Sequence, residues 1–288
     1  MIPAEFDYSA PTSLDEALAL LGRQEDAKLL AGGHSLLPAL KLRLASTPHL
    51  IDLGRVPGLT EIREDGGVIA IGAMATHHSI ETSELLSRRC PLLTQCAAWI
   101  GDLQVRNRGT IGGSLAHADP GADYPAAVLA LEGEIVARSA TGTRTIAAEA
   151  FFVDMLTTTL EPGEILTEVR VQPFPAKTGS SYRKEPQPAS GFAIVGVAVA
   201  VTLDGGRCSK VRIGVTGAAS KAWRAKAAEE VLQGNAPEDA AIAAAAQQTT
   251  EGIEMNGDIF ASAEYRAHLV RVYARRALRE AADRARSA

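Results

Sequence analysis

Short apolar runs bounded by turn residues alternate with helix-period stretches through the first 170 positions, and alanine-rich helical stretches dominate the last seventy. Ser13-Leu14-Asp15-Glu16 has the form of a capping box and predicts a helix through 17–21. A buried strand over 28–31 and a helix over 35–44 follow, and a strand over 49–53 closes a β-α-β unit. Pro38 falls in the first turn of that helix, where a missing N–H costs little. A hairpin (60–64, 68–71) and helices near 77–86 and 92–100 come next. Residues 101–124 show no period and read as a long irregular loop, a length that is usually functional. A helix over 123–131, a hairpin (134–139, 144–146) and a strand over 164–171 complete this part. After a Pro-rich linker at 172–179, strands near 181–184, 193–203 and 208–215 precede helices over 222–232, 237–250 and 262–285. Three antiparallel strands backed by helices make a small α+β domain.

Two glycine pairs stand out against this pattern: Ala31-Gly32-Gly33-His34-Ser35 and Thr110-Ile111-Gly112-Gly113-Ser114. Adjacent glycines let backbone amides approach a ligand without side chains in the way. Several N–H groups turned toward one point form an anion-binding nest. The first pair also precedes a predicted helix, whose N-terminus favours anions. Two further pairs, Asp65-Gly66-Gly67 and Asp204-Gly205-Gly206, carry an Asp and join apolar segments, so they read as hairpin turns. Two nests in one chain predict a ligand with an extended phosphate-containing spine.

Composition narrows the function classes. The 288 residues carry a net charge of −5, with no basic block to neutralise nucleic-acid phosphates. No apolar run is long enough to span a bilayer, and no secretion signal opens the chain, so cytoplasmic residence is expected. Cys90, Cys96 and Cys208 form no Cys-x-x-Cys pair and cannot supply a four-thiolate iron–sulfur site. There is no G-x-G-x-x-G after the first strand, no Walker loop and no G-x-S-x-G elbow. His117, Asp119 and Asp123, or His77 and His78, have loose spacing for metal ligands. Asp123 reads better as a helix N-cap whose exposed carboxylate accepts hydrogen bonds from sugar hydroxyls. Arg106 and Arg108 read either as a solvated turn or as a field contribution beside the second glycine loop. Lys184 reads as a strand residue unless the last domain folds back onto the glycine loops.

The ordered set Ala31-Gly32-Gly33-His34-Ser35-Leu36-Leu37-Pro38, then Gln104 through Ser114, then Asp123-Tyr124-Pro125-Ala126-Ala127 resembles the FAD-binding medium subunit of molybdenum hydroxylases of the carbon monoxide and xanthine dehydrogenase types. Pro162-Gly163-Glu164-Ile165-Leu166, Tyr182-x-Lys184 and the run from Phe192 to Ala198 extend the likeness from Phe6 to the final helix. The resemblance implies a vanillyl-alcohol-oxidase-type (PCMH-type) FAD-binding domain over 1–175, with α/β subdomains at about 1–55 and 56–175, and a C-terminal α+β domain over 176–288. It implies that Ala31, Gly32, Gly33, His34 and Ser35, with Thr110, Ile111, Gly112, Gly113 and Ser114, hold the FAD diphosphate, and that the flanking Leu30 and Leu36 also belong to the cofactor-binding set. It assigns Asp123 to polar groups of the cofactor, Leu166 to its adenine or ring region, Lys184 to the flavin's polar edge and Phe192 to the isoalloxazine. Ile100 occupies a contact position that is often aromatic, and 185–191 lacks the Arg often found downstream of the lysine.

The function implied is electron transfer: a molybdopterin-binding large subunit oxidises substrate, a [2Fe-2S] small subunit relays electrons, and FAD on this chain delivers them to quinone, oxygen or NAD. A dimer of heterotrimers is the assembly implied. The cysteine count agrees, since any clusters must sit on another polypeptide. A self-contained FAD oxidase or reductase, and a nucleotide-binding scaffold subunit, remain as alternatives. The first would need acid/base residues over the flavin, and none stands out.

Overall fold

A computed structural model describes all residues, 1–288. The chain builds three main sheets, each with its own hydrophobic cluster, and a two-stranded ribbon of Phe152–Asp154 and Thr157–Thr158. In the first, strands Asp7–Ser9, Lys28–Leu30 and His49–Asp52 run parallel, with His49–Asp52 in the centre. Helix Leu14–Arg23 starts where expected, with the Ser13 hydroxyl accepting from the Glu16 N–H and the Glu16 carboxylate accepting from the Thr12 N–H. Ala17, Leu18, Ile51 and Leu53 form the core of this module, which borrows Met74 and Ile165 from the next.

The second sheet is antiparallel in the order Ile62–Asp65, Val68–Gly72, Ile165–Val171, Glu134–Ser139, Gly142–Ala147. Its hairpin glycines Gly66 and Gly67 have φ of 58° and 83°, and a Cβ on either would meet nothing within 4 Å. Helices packed on this sheet carry Leu92, Leu93, Cys96, Ile111, Leu115 and Val128 into the largest cluster.

The C-terminal sheet has four strands rather than the three expected: Thr178–Pro186, Ala193–Asp204, Arg207–Thr216 and Trp223–Arg224. The extra strand takes the start of the predicted helix, which begins only at Lys226. Alternate valines 195, 197, 199 and 201 face Val270, Ala274, Ala277 and Ala281 of the long helix Ala263–Ser287. The opposite face meets helix Tyr124–Ala130, every residue of which is buried. A Cβ on Gly214 would lie 2.0 Å from the Ala126 carbonyl oxygen, so a glycine is what lets the sheet seat on that helix.

Four other expectations shift. The irregular segment 101–124 holds two short helices, Leu103–Arg106 and Ile111–His117, whose starts are fixed by Asp102 and Thr110 accepting from the Val105 and Gly113 amides. Glycine's low helix propensity hides the second of these from a pattern reading. The predicted 77–86 helix breaks in two because Thr76 and Ser83 each cap a separate start. The helix expected over 92–100 runs Pro91–Ala97. The helix after the first glycine pair is only Leu36–Lys41, and Arg43 adopts φ 58° beyond its end.

Candidate functional site

A cleft of about 1180 Å³ runs between the first module and the second, and residues 190–192 of the C-terminal domain reach its mouth. Both glycine loops line it. The first leaves the strand Lys28–Leu30 and turns through Gly33, whose φ of 77° suits glycine. None of the backbone amides of Ala31, Gly32, Gly33, His34, Ser35 and Leu36 has an acceptor anywhere in the protein. None of these six residues is buried, and the last two open a helix, so the run is a set of donors left open to the cleft and available to a ligand. The His34 ring Nδ1 lies 3.0 Å from the Gly32 carbonyl oxygen and braces the turn.

The second loop has a different job. Its amides are committed within the chain: Ile111 to the Ala75 carbonyl, Gly112 to Ala73, Gly113 to the Thr110 hydroxyl and Ser114 to the Thr110 carbonyl. Its glycines serve close approach. A Cβ on Gly112 would sit 2.5 Å from the Ala73 Cβ, and one on Gly113 would sit 3.4 Å from the Ala31 Cβ. Gly32 in turn rests against the backbone leading into this loop, where a Cβ would fall 2.2 Å from the Arg108 carbonyl oxygen. The two loops are thus packed on one another. The first offers free amides, and the second brings the Thr110 and Ser114 side chains to the same wall.

Asp123 corrects an expectation. It is not an exposed cap but 4% accessible, and its side chain makes no cap hydrogen bond. Lys184 Nζ donates to Asp123 Oδ2 at 2.8 Å and to the Trp99 carbonyl at 3.1 Å, and the Tyr182 hydroxyl donates to Asp123 Oδ1. Burial pushes the Asp123 carboxyl up from its ordinary value, while the Lys184 ammonium and the two hydrogen bonds pull against it. The last domain does fold back, but Lys184 is wholly buried behind Asp123 and does not line the cleft. Leu30 and Ile111 also stand behind the wall. Ile100, Leu166 and Phe192 line it together with Asp123, and Phe192 is 42% exposed at the mouth.

Arg106 is not free to attract an anion. It pairs with Glu81 at 2.8 Å and donates to the Ile100 and Gly101 carbonyls, both at 3.2 Å, holding the turn that presents Ile100. His77 is a wall residue that motif reading weighed only as a metal ligand. Burial lowers its pKa to about 4, helped by positive charge at His34 and Arg106. The bare Gly109 beside it was the available signal, because a Cβ there would lie 2.5 Å from His77 Nε2.

A wide cleft floored by a run of free amides, next to two interlocked glycine loops, defines a protein that holds a diphosphate-bridged dinucleotide. The comparisons specify which kind. Residues 4–175 match the FAD binding domain in molybdopterin dehydrogenase, and residues 180–281 match the CO dehydrogenase flavoprotein C-terminal domain. The chain is 42% identical to the carbon monoxide dehydrogenase medium chain of Hydrogenophaga pseudoflava, with 98% of each covered. It is 41% identical to the 6-hydroxypseudooxynicotine dehydrogenase complex subunit alpha of Paenarthrobacter nicotinovorans, covering 99% of this chain and 97% of that one. The solved carbon monoxide dehydrogenase of Hydrogenophaga pseudoflava superposes with a TM-score of 0.96 at 44% identity over 99% of both chains. The chain belongs to the FAD-binding molybdopterin dehydrogenase family, and it is an FAD-binding oxidoreductase subunit.

Proposed function

We propose that this chain is the electron-transfer subunit of a heteromeric molybdenum hydroxylase, assembled with a molybdopterin-binding large subunit and a [2Fe-2S] small subunit. FAD, when bound, supplies the redox chemistry that accepts electrons from the clusters and yields them to an external acceptor such as quinone, oxygen or NAD. A cytoplasmic dimer of such heterotrimers is the assembly that fits the family.

The chain's own contribution is to hold that group. The single observation carrying the reading is the unbroken run of unpaired amides from Ala31 to Leu36. Hydrogen bonds to a charged acceptor contribute about 1.5–3 kcal/mol each, so even three of the six would anchor a diphosphate firmly. Thr110 and Ser114 offer hydroxyls from the facing loop, and Gly112 and Gly113 keep that loop close enough to do so. Ile100, Leu166 and Phe192 give apolar surface for rings, and Asp123 gives a polar acceptor already fixed by Lys184 and Tyr182. The two relatives named above act on unlike molecules by their names, yet both align end to end with this chain. Substrate choice therefore belongs to a companion subunit.

The test is hydrogen–deuterium exchange on the full chain with and without FAD, alongside its visible spectrum. Holoprotein is expected to be yellow, to release FAD on denaturation, and to gain protection at the amides 31–36. A folded chain that takes up no flavin refutes the reading. So does FAD uptake with unchanged exchange at those six positions. Co-expression with companion subunits tests the assembly: a stable complex containing molybdenum and iron is expected.

A further inference from the structure

One side chain on the cleft wall is built into the site in a way that the glycine loops do not explain. His77 is 5% accessible. It is pinned to the second loop's approach, where its backbone N–H donates to the Gly109 carbonyl at 2.9 Å and Thr76 bridges to Thr110. Its ring packs 5.3 Å from the Tyr124 ring at 54°. Nδ1 is enclosed with no partner, so the ring is not held by a hydrogen bond on that side. The other nitrogen, Nε2, makes no bond within the protein yet is not enclosed, and His77 lines the cleft. Nε2 also lies over the bare Cα of Gly109, the residue whose Cα a side chain at Gly32 would strike. That places it at the seam between the two glycine loops.

We propose that His77 is a cofactor-binding residue, a neutral imidazole whose Nε2–H donates to a diphosphate oxygen of the bound dinucleotide. The inference rests on the FAD reading given above. The desolvation that lowers its pKa to about 4 keeps it uncharged at neutral pH, and His34, Arg106 and Tyr124 are the titratable groups facing it. A neutral imidazole carries one proton. Placing that proton on Nε2 leaves only a lone pair enclosed at Nδ1 and gives the ring a donor on the cleft that the loop 31–36 also lines. Gly109 then has a stated purpose, because any side chain there would push the ring off the seam.

The experiment compares H77A, H77Q and H77N in the full chain after FAD removal, titrating each calorimetrically with FAD and, separately, with ADP. ADP carries the diphosphate without the flavin. A Gln amide nitrogen reaches the place of Nε2, and an Asn amide nitrogen reaches only that of Nδ1. H77A and H77N are expected to weaken both ligands by about tenfold or more, and H77Q to stay within about threefold of the parent. Equal losses in the Gln and Asn variants would reduce His77 to packing and overturn the proposal. FAD weakened with ADP unchanged would also overturn it, by moving the contact to the flavin end. If the parent chain takes up neither ligand, the FAD reading falls and this one with it. Normal uptake by the parent and by H77A overturns only the role of His77.

Discussion

Replacing Lys184 with Met tests the least expected part of the site. Methionine keeps the length of the stem and deletes the ammonium. Three contacts anchor the region: Nζ to Asp123 Oδ2 at 2.8 Å, Nζ to the Trp99 carbonyl at 3.1 Å, and the Tyr182 hydroxyl to Asp123 Oδ1. Both members of the pair are essentially inaccessible, at 0% and 4% of the side chain. Breaking a buried ion pair from one side leaves an uncompensated charge and costs about 3–5 kcal/mol. An exposed pair would cost about 1 kcal/mol or less. The loss has a definite pH sign. Burial already raises the Asp123 carboxyl above its ordinary value, and without the ammonium it rises further. A carboxyl raised in the fold is stabilising when protonated, so the variant's deficit is small near pH 4 and grows as pH climbs through the raised pKa. Urea unfolding of parent and K184M followed by circular dichroism at pH 5 and pH 8 reads this directly. K184M is expected to lose about 3–5 kcal/mol at pH 8 and distinctly less at pH 5. D123N combined with K184M should regain most of the loss, since it removes the stranded charge. A deficit below about 1 kcal/mol at pH 8, or no rescue in the double variant, would refute the buried-pair reasoning.

The glycines give a paired comparison. G32A drives a Cβ to 2.2 Å from the Arg108 carbonyl, so the loops must part and flavin content, read by absorbance of purified protein, should collapse. G66A, in a hairpin turn with open space, should cost only about 1 kcal/mol of left-handed strain and leave flavin content intact. Glu132 joins the second module to the last domain through Lys210, Arg212 and Arg224, and the hydrogen bonds of Lys210 and Arg212 hold its carboxyl at about 2 despite partial burial. A depressed carboxyl stabilises above its unfolded pKa and loses that contribution as pH falls through the folded one. The parent's thermal midpoint should therefore fall between about pH 4.5 and pH 2 more steeply than that of E132Q, and identical slopes would remove Glu132 from the interdomain link.

Where the loops lie was legible because glycine pairs differ in what precedes them. Asp65 and Asp204 introduce pairs whose φ values, 58° and 83° and then 54° and 80°, are those of tight hairpins with nothing nearby. Ala31 and Ile111 introduce pairs with backbone or side chain pressed against them. What each loop does was not legible, because the answer sits elsewhere in the chain. The carbonyls of Ala73 and Ala75 consume the second loop's amides, and no local pattern around 110–114 announces acceptors some forty residues earlier. The burial of Asp123 was hidden for the same reason: its partners Tyr182 and Lys184 arrive from a domain whose docking depends on a bare Gly214 against Ala126. An acid at a helix start reads as a solvated cap until a second sheet covers it.

These long-range contacts share one physical logic. A diphosphate needs several donors that are held in place before it arrives. Backbone amides meet that need only if the loop carrying them cannot relax to satisfy itself. The first loop is held open because Gly32 is wedged on the Arg108–Gly109 backbone and because the facing amides are tied to Ala73, Ala75 and Thr110. The second loop, with its amides 111–114 all satisfied within the chain, is the wall against which the first is packed. Freeing the second loop's amides would loosen that wall and let the amides of 31–36 find partners of their own. The two glycine pairs therefore cannot be interchanged, although as sequence they look alike.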